Sequence, residues 1–176
     1  MVELRKVLFV SGTETPGSWC RGEVQDRYYG PGGKPRPPSR GNALSIFVDT
    51  SAILALLNAD ETRHNQVAEA WVQLLNTEVQ LVLTDYIIVE TVALLQSRIG
   101  MEAVRCFIED MRPLFEVLWI DRELHERAVS ALLVANRRRL SLVDCSSFES
   151  MRSHGIDEAL TLDPHFQEQG FRCFPV

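Results

Sequence analysis

The chain of 176 residues is long enough for one domain of ordinary size, and its 45% of hydrophobic residues suffice for a buried core. Charged residues at 24% exclude a wholly disordered chain, and the net charge of −6 argues against binding nucleic acid by charge alone. No apolar run approaches the roughly 18 residues of a membrane span, and residues 7–10 are too short for a signal peptide core. We therefore expect a soluble, cytoplasmic protein with no membrane association.

The composition of the chain changes near residue 43. The first 43 residues hold 7 of the 10 glycines and 5 of the 8 prolines and carry a net charge of +3, whereas the remainder carries −9. Residues 30–38 (GPGGKPRPP) exclude a helix or a central strand. We interpret residues 1–43 as a flexible leader, or as the result of a misplaced translation start, and residues 44–176 as the folded domain.

Short apolar runs alternate with helical patterns from Ser45 onwards. In chain order, the pattern predicts a strand over 45–49, helices over 51–58 and 62–76, a strand over 79–84, helices over 86–99 and 102–111, a strand over 115–120, helices over 122–138 and 142–154, a strand over 159–162, a helix over 164–169 and a strand over 171–174. Apolar strands separated by helices are typical of parallel sheets buried on both faces. The expected fold is α/β, a three-layer α/β/α sandwich with a central, mainly parallel sheet of about five strands.

Acidic residues interrupt apolar sequence where predicted strands end or helices begin. Asp49 ends the first strand and Asp163 the fourth, while Asp144 and Glu90 lie in helices 142–154 and 86–99. Ligands of such folds bind beyond the carboxyl ends of the strands. No Lys or Arg lies within four residues of Asp49 or Glu90, so local ion pairs do not explain them. Asp85, which ends strand 79–84, is interpreted only as an N-cap of the next helix.

The four carboxylates favour a divalent cation if they converge. Two such charges about 4 Å apart repel by roughly 4 kcal/mol at an effective dielectric of 20, and Mg²⁺ or Mn²⁺ would remove that repulsion through oxygen ligands. Each residue also has a plain structural explanation. Asp163 before Pro164 suits a helix N-cap, Asp144 suits a helix dipole, and Glu90 suits a partly exposed helix position.

Basic residues and histidines give weaker signals. Arg137, Arg138 and Arg139 end helix 122–138, where they either complement its C-terminus or contact RNA or an acidic partner. The histidines share no spacing typical of metal ligands and are interpreted as surface or turn residues: His64, His125, His154 and His165.

Three segments together resemble a PIN domain: residues 46–52 (IFVDTSA), 141–148 (SLVDCSSF) and 160–166 (LTLDPHF), with Glu90 between the first two. The resemblance covers residues 45–176 and is closest to the VapC-like toxins of toxin–antitoxin pairs. It implies a metal-dependent endoribonuclease with an RNA substrate, a small antitoxin that blocks the cleft, and a homodimer. The implied ligands of Mg²⁺ or Mn²⁺ are Asp49, Glu90, Asp144 and Asp163, with the hydroxyl of Thr50 or Ser51 supporting the first carboxylate.

Other interpretations stay open at this point. A PIN nuclease that processes RNA for housekeeping shares the same residues, and an antitoxin reading frame directly upstream would favour the toxin. A PIN-like domain without activity would serve as a binding module. Phosphatases with an aspartate nucleophile also place an Asp after the first strand, but they need a second Asp two residues later, where this chain has Ser51.

Overall fold

A computed structural model describes residues 44–175, so the predicted leader over 1–43 lies outside the described residues. Five parallel strands form one sheet in the order β3-β2-β1-β4-β5. The strands are β1 (Ser45–Val48), β2 (Gln80–Thr84), β3 (Glu116–Leu118), β4 (Glu158–Leu160) and β5 (Arg172–Phe174). Phe47 of β1 pairs with Val82 of β2 and with Ala159 of β4, which makes β1 the central strand.

Both faces of the sheet are covered by helices. Three consecutive residues of β1, Ile46, Phe47 and Val48, are at most 2% exposed although successive side chains point to opposite faces. The flanking helices are α1 (Thr50–Leu57), α2 (His64–Leu75), α3 (Asp85–Arg98), α4 (Met101–Arg105), α5 (Arg122–Ala135), α6 (Leu142–His154) and α7 (Pro164–Glu168). The predicted three-layer α/β/α architecture is therefore confirmed.

The helix predicted over 102–111 is only partly regular. The α-helical turns of α4 continue without a break into a π-helix over Cys106–Met111 and a 3₁₀ turn over Arg112–Leu114. This segment buries Phe107 and Met111 in the core. Pro113 lacks the N–H that a further helical turn needs, so the segment ends and β3 follows.

Two predicted boundaries differ in ways that affect the site. Helix α5 ends at Ala135 because Asn136 adopts a left-handed conformation with φ of 47°, so the prediction that Arg137–Arg139 end a helix is wrong. The strand predicted over 159–162 ends at Leu160. Leu162 instead donates its backbone N–H to the hydroxyl of Ser51 over 2.9 Å, which turns the chain towards the end of β1.

An aromatic cluster anchors the C-terminal part of the domain. Phe166 of α7 is fully buried, and its ring centroid lies 4.9 Å from that of Phe148 and 6.0 Å from that of Phe47. Because Phe166 follows Asp163 by one helical turn, this packing fixes the start of α7 against β1 and α6. In the part of the chain that the structure describes, no helix has the length and apolar character that a membrane crossing requires.

Candidate metal centre

Three of the four predicted site carboxylates lie at helix N-termini. Asp49 is the N-cap of α1, directly after β1, and Asp163 is the N-cap of α7, shortly after β4. Asp144 occupies the third position of α6. Helix N-termini stabilise negative charge through free N–H groups and the helix dipole. The fold thus supplies partial positive charge at the edge of the sheet where these carboxylates lie.

The carboxylate of Asp49 is held by three hydrogen bonds to one oxygen. Oδ2 accepts from the backbone N–H of Ser51 over 3.1 Å, from the hydroxyl of Thr161 over 3.0 Å, and from the Ser51 hydroxyl at short range. Within residues 44–175, Oδ1 accepts no hydrogen bond. Burial raises the pKa of Asp49 to about 6 despite these hydrogen bonds, and Asp144 adds to the rise. The protein therefore orients this carboxylate through Oδ2 and leaves Oδ1 available for a cation.

The two hydroxyls on Asp49 also bind the turn after β4. Each donates its proton to Asp49 and accepts a backbone N–H, the Ser51 oxygen from Leu162 and the Thr161 oxygen from Asp163, both over 2.9 Å. Ser51, one of the two hydroxyl residues expected to support the first carboxylate, donates a hydrogen bond to it. Thr161 was not among the predicted site residues, and the signal that could have identified it was a hydroxyl two residues before Asp163.

Thr50 and Glu90 form a second pair beside this network. The Thr50 hydroxyl accepts from Thr91 over 3.3 Å, and its interaction with Glu90 opposes the rise in the pKa of that carboxyl, so Thr50 lies with the glutamate and not with the first aspartate. Burial raises the pKa of Glu90, and the charges of Asp144 and Asp163 raise it further. The half-buried Glu90, in the second turn of α3, therefore shares one electrostatic environment with the aspartates.

Asp144 is fixed by a capping box at the start of α6. Its carboxylate Oδ2 accepts from the backbone N–H of Ser141 over 2.7 Å, and its own N–H donates to the Ser141 hydroxyl over 3.0 Å. Burial raises the pKa of Asp144, and Asp163 contributes to the rise, whereas Ser141 and His165 oppose it. Asp144 therefore lies at the start of a helix, and one of its carboxylate oxygens also lies near Asp163.

His165 lies in the site, contrary to its interpretation as a surface or turn residue. One oxygen each of Asp144 and Asp163 and one ring nitrogen of His165 lie within 4.8 Å of one another. Only 13% of the His165 side chain is exposed. Helix α7 places it there, because Asp163 caps this helix by accepting the His165 backbone N–H over 2.9 Å. The sequence signal that could have placed His165 in the site was its position two residues after Asp163.

Asp85, the remaining acid near a strand end, has a different environment. The N-cap of α3 is Thr84, whose hydroxyl accepts the N–H of Ile87 over 3.2 Å, so the interpretation of Asp85 as the cap is wrong. Asp85 instead accepts the backbone N–H of Ile120 over 3.0 Å and holds the loop between β3 and α5.

The residues of the site fit a hard divalent cation. Among the described residues, no Lys or Arg forms an ion pair with Asp49, Glu90, Asp144 or Asp163. The pKa values of the first three are raised partly by the other carboxylates. Mutually repelling oxygen donors without a protein counter-ion are the ligand set that Mg²⁺ and Mn²⁺ prefer.

The arginine run lies on the loop that leads into α6. Arg137 pairs with Glu168 of α7 over 2.6 Å. Arg138 and Arg139 are exposed, and within residues 44–175 neither forms an ion pair. This loop therefore contacts the C-terminal end of α7 through Arg137 and leads directly to Ser141 at the start of α6.

The sheet order and the acidic site define a class of protein. The family model for the PIN domain matches residues 46–172. The chain therefore belongs to the PIN domain family of metal-dependent nucleases.

Particular relatives place it among the VapC-like members of this family. It is 34% identical over 128 residues to the 23S rRNA-specific endonuclease VapC20 from two Mycobacterium tuberculosis strains, which covers 72% of this chain and 95% of the relative. The crystal structure of M. tuberculosis VapC20, described as a Sarcin-Ricin loop cleaving toxin, has a TM-score of 0.64 and 32% identity over 72% of this chain and 95% of that one. The expected activity class, a metal-dependent endoribonuclease, is confirmed.

A more distant structure supports the fold alone. FitAcB from Neisseria gonorrhoeae has a TM-score of 0.54 at 17% identity, over 73% of this chain and 96% of that one.

Proposed function

We propose that this protein hydrolyses 23S ribosomal RNA with Mg²⁺ or Mn²⁺ held by Asp49, Glu90, Asp144 and Asp163. The observation that carries the proposal is that Asp144 and Asp163 offer oxygens within 4.8 Å of each other at the carboxyl edge of the sheet, and that none of the four carboxylates has a Lys or Arg ion-pair partner in the described residues. The choice of RNA is supported by the 34% identity to a 23S rRNA-specific endonuclease.

Each part of the site has a distinct task in this proposal. A bound divalent ion would activate a water molecule and neutralise the charge of a phosphodiester. Ser51 and Thr161 hold Oδ2 of Asp49 and would leave Oδ1 for the ion, Thr50 interacts with Glu90, and Ser141 orients Asp144. The N-termini of α1, α6 and α7 stabilise negative charge at the same place.

Arg138 and Arg139 are proposed RNA contacts. They lie on the loop that precedes α6, which carries Asp144, and they have no ion-pair partner in the described residues, whereas Arg137 is engaged by Glu168. Two arginines supply local positive charge to a domain that is acidic as a whole.

We further propose that residues 44–176 act as the toxin of a toxin–antitoxin pair in the cytoplasm, where ribosomes are cut, and that a small antitoxin protein inhibits them. The description of the VapC20 structure as a toxin supports this role. A homodimer is supported by exposed apolar side chains on α3 and the segment that follows it: Val89, Ile99, Met101 and Ile108. Light scattering on the wild type and on Met101→Glu tests the dimer, which the charge should weaken.

Cleavage of purified ribosomes and of total RNA tests the activity. Wild-type protein is incubated with Mn²⁺, with Mg²⁺ or with chelator, beside Asp49→Asn and Asp85→Asn purified identically. Asp85→Asn is the matched control, because it removes an acid at the same edge of the sheet that lies outside the site. Discrete 23S rRNA fragments from the wild type and Asp85→Asn, and none with chelator or Asp49→Asn, are expected. Fragments of another RNA would identify that RNA as the substrate in place of 23S rRNA. Intact RNA in every reaction would favour a binding module without activity.

A further inference from the structure

The imidazole nitrogen Nδ1 of His165 is a buried polar atom without a hydrogen-bond partner among the described residues. This atom lies 3.0 Å from Oδ1 of Asp163, but it is not aligned for a hydrogen bond with any described residue. Buried polar atoms in native proteins nearly always have a partner. This nitrogen therefore lacks one on the side that faces the acidic site.

The distances around this nitrogen suit a shared cation. An octahedral ion with ligands at about 2.1 Å places neighbouring ligand atoms about 3.0 Å apart, and Nδ1 of His165 lies 3.0 Å from the nearest oxygen of Asp163. One carboxylate oxygen of Asp144, one of Asp163 and a ring nitrogen of His165 all lie within 4.8 Å of one another. Asp163 and His165 are held by the same short helix, so their relative position is set by the fold.

We propose that Nδ1 of His165 is a direct ligand of the metal ion, together with Asp144 and Asp163, and that this nitrogen makes the site favour Mn²⁺ over Mg²⁺. The inference rests on the proposed metal site. Mg²⁺ takes oxygen ligands almost exclusively, whereas imidazole is a better ligand for later divalent metals, and Mn²⁺ accepts both kinds. Carboxylate oxygens alone distinguish the two ions less strongly than a set that includes an imidazole nitrogen.

The substitution His165→Asn separates the nitrogen from the shape of the side chain, because the Asn amide can present an oxygen near the position of Nδ1. We expect it to lower the Mn²⁺-to-Mg²⁺ affinity ratio by about tenfold in calorimetric titrations of the metal-free protein. His125→Asn, which changes a histidine on α5, is the matched control and should leave the ratio unchanged. Equal losses of affinity for both ions in His165→Asn would overturn the proposal.

A spectroscopic measurement tests the bond itself and needs no variant. Pulsed electron paramagnetic resonance of the Mn²⁺-loaded wild-type protein should detect a directly bound nitrogen, and labelling histidine with ¹⁵N should change that signal. Mn²⁺ bound without nitrogen coupling would exclude His165 and leave the carboxylate site intact. Absence of Mn²⁺ binding to the wild type would overturn both the inference and the proposed metal site.

Discussion

The hydroxyl of Thr161 donates a hydrogen bond to Oδ2 of Asp49 over 3.0 Å, across 112 positions of sequence. The pairing of β1 with β4 brings the two residues together, because Val48 pairs with Leu160 and each site residue follows directly. The same hydroxyl accepts the N–H of Asp163 over 2.9 Å. One buried side chain thus sets the distance between two proposed metal ligands.

Replacing Thr161 by Val should weaken both stability and cleavage. The isosteric change leaves the N–H of Asp163 without an acceptor and Asp49 without one donor, which costs about 1–3 kcal/mol in unfolding free energy. Loss of such a positioning group typically lowers metal affinity or activity about 10–100-fold. Urea denaturation and metal titration check both effects. Thr161→Ser keeps the hydroxyl, and it should recover most of the metal affinity. If Thr161→Ser binds metal as weakly as Thr161→Val, loss of the hydroxyl is not the cause of the weaker binding.

Asp49→Asn should abolish cleavage and stabilise the metal-free protein at neutral pH. Because burial raises the pKa of Asp49 from 3.8 to about 6, the folded state favours the protonated form. Stability of the wild type is therefore lost as the pH rises from about 4 to 6, by up to about 3 kcal/mol, and Asn avoids this loss.

Denaturation in chelator at pH 4, 6 and 7.5 measures this effect. The two proteins should be similarly stable at pH 4, and the variant should be the more stable above pH 6. If the wild type is more stable than Asp49→Asn at pH 7.5 without metal, the ionised Asp49 carboxylate does not destabilise the folded protein, and the prediction is contradicted.

Divalent metal should raise the melting temperature of the wild type. At about 100 times the dissociation constant, binding adds roughly 2.7 kcal/mol to the unfolding free energy. Asp144→Asn should remove most of this gain, whereas Asp85→Asn should retain it, because the Asp85 side chain binds the backbone of Ile120. Differential scanning calorimetry with and without Mn²⁺ makes the comparison. An equal gain in both variants would place the ion elsewhere.

Ser141→Ala tests the capping box that holds Asp144. Loss of an N-cap hydroxyl costs about 1 kcal/mol of stability, and Asp144 also loses its defined orientation at the start of α6. We expect weaker Mn²⁺ binding together with this modest loss, measured by calorimetry and urea denaturation. Ser141→Thr should restore both quantities. Unchanged metal affinity in Ser141→Ala would show that Asp144 is oriented by other contacts.

The double variant Arg138→Ala/Arg139→Ala should bind RNA more weakly without loss of stability. Each contact to a single-stranded phosphate contributes about 0.7 to the slope of log affinity against log salt, so the slope should fall by about 1.4. Fluorescence titrations in the Asp49→Asn background, over a series of KCl concentrations, measure this slope. Arg98→Ala, at the far end of α3 from Asp85, is the control, and an equal fall there would indicate only a general charge effect.

The sequence predicts the fold well, and it marks the acidic residues as candidates for a site, because both depend on local patterns. The order of apolar runs gave the alternation of strands and helices, and Asp49 and Asp163 follow directly from the ends of two such runs. Helix α6 was predicted with the boundaries Leu142–His154 because Ser141 and Gly155 mark its ends, Gly155 with φ of 65°.

The remaining features depend on contacts between distant segments. Thr161 and Leu162 belong to an apolar run that reads as strand, yet Leu162 leaves the sheet because Ser51 offers an acceptor. His165 shares no spacing with another histidine, so its place in the site follows only from the start of α7. The π-helix over Cys106–Met111 has no sequence signature beyond Pro113.

The position of β4 in the sheet has a consequence for synthesis of the protein on the ribosome. A nascent chain that has emerged only through α6 carries Asp49, Glu90 and Asp144, but it lacks Asp163 and the hydroxyl that orients Asp49. The acidic site is complete only when the last strand pair and α7 have docked beside β1. With this topology the proposed site can form only after the first and the fourth strand of the domain, which are more than a hundred residues apart in the chain, have paired.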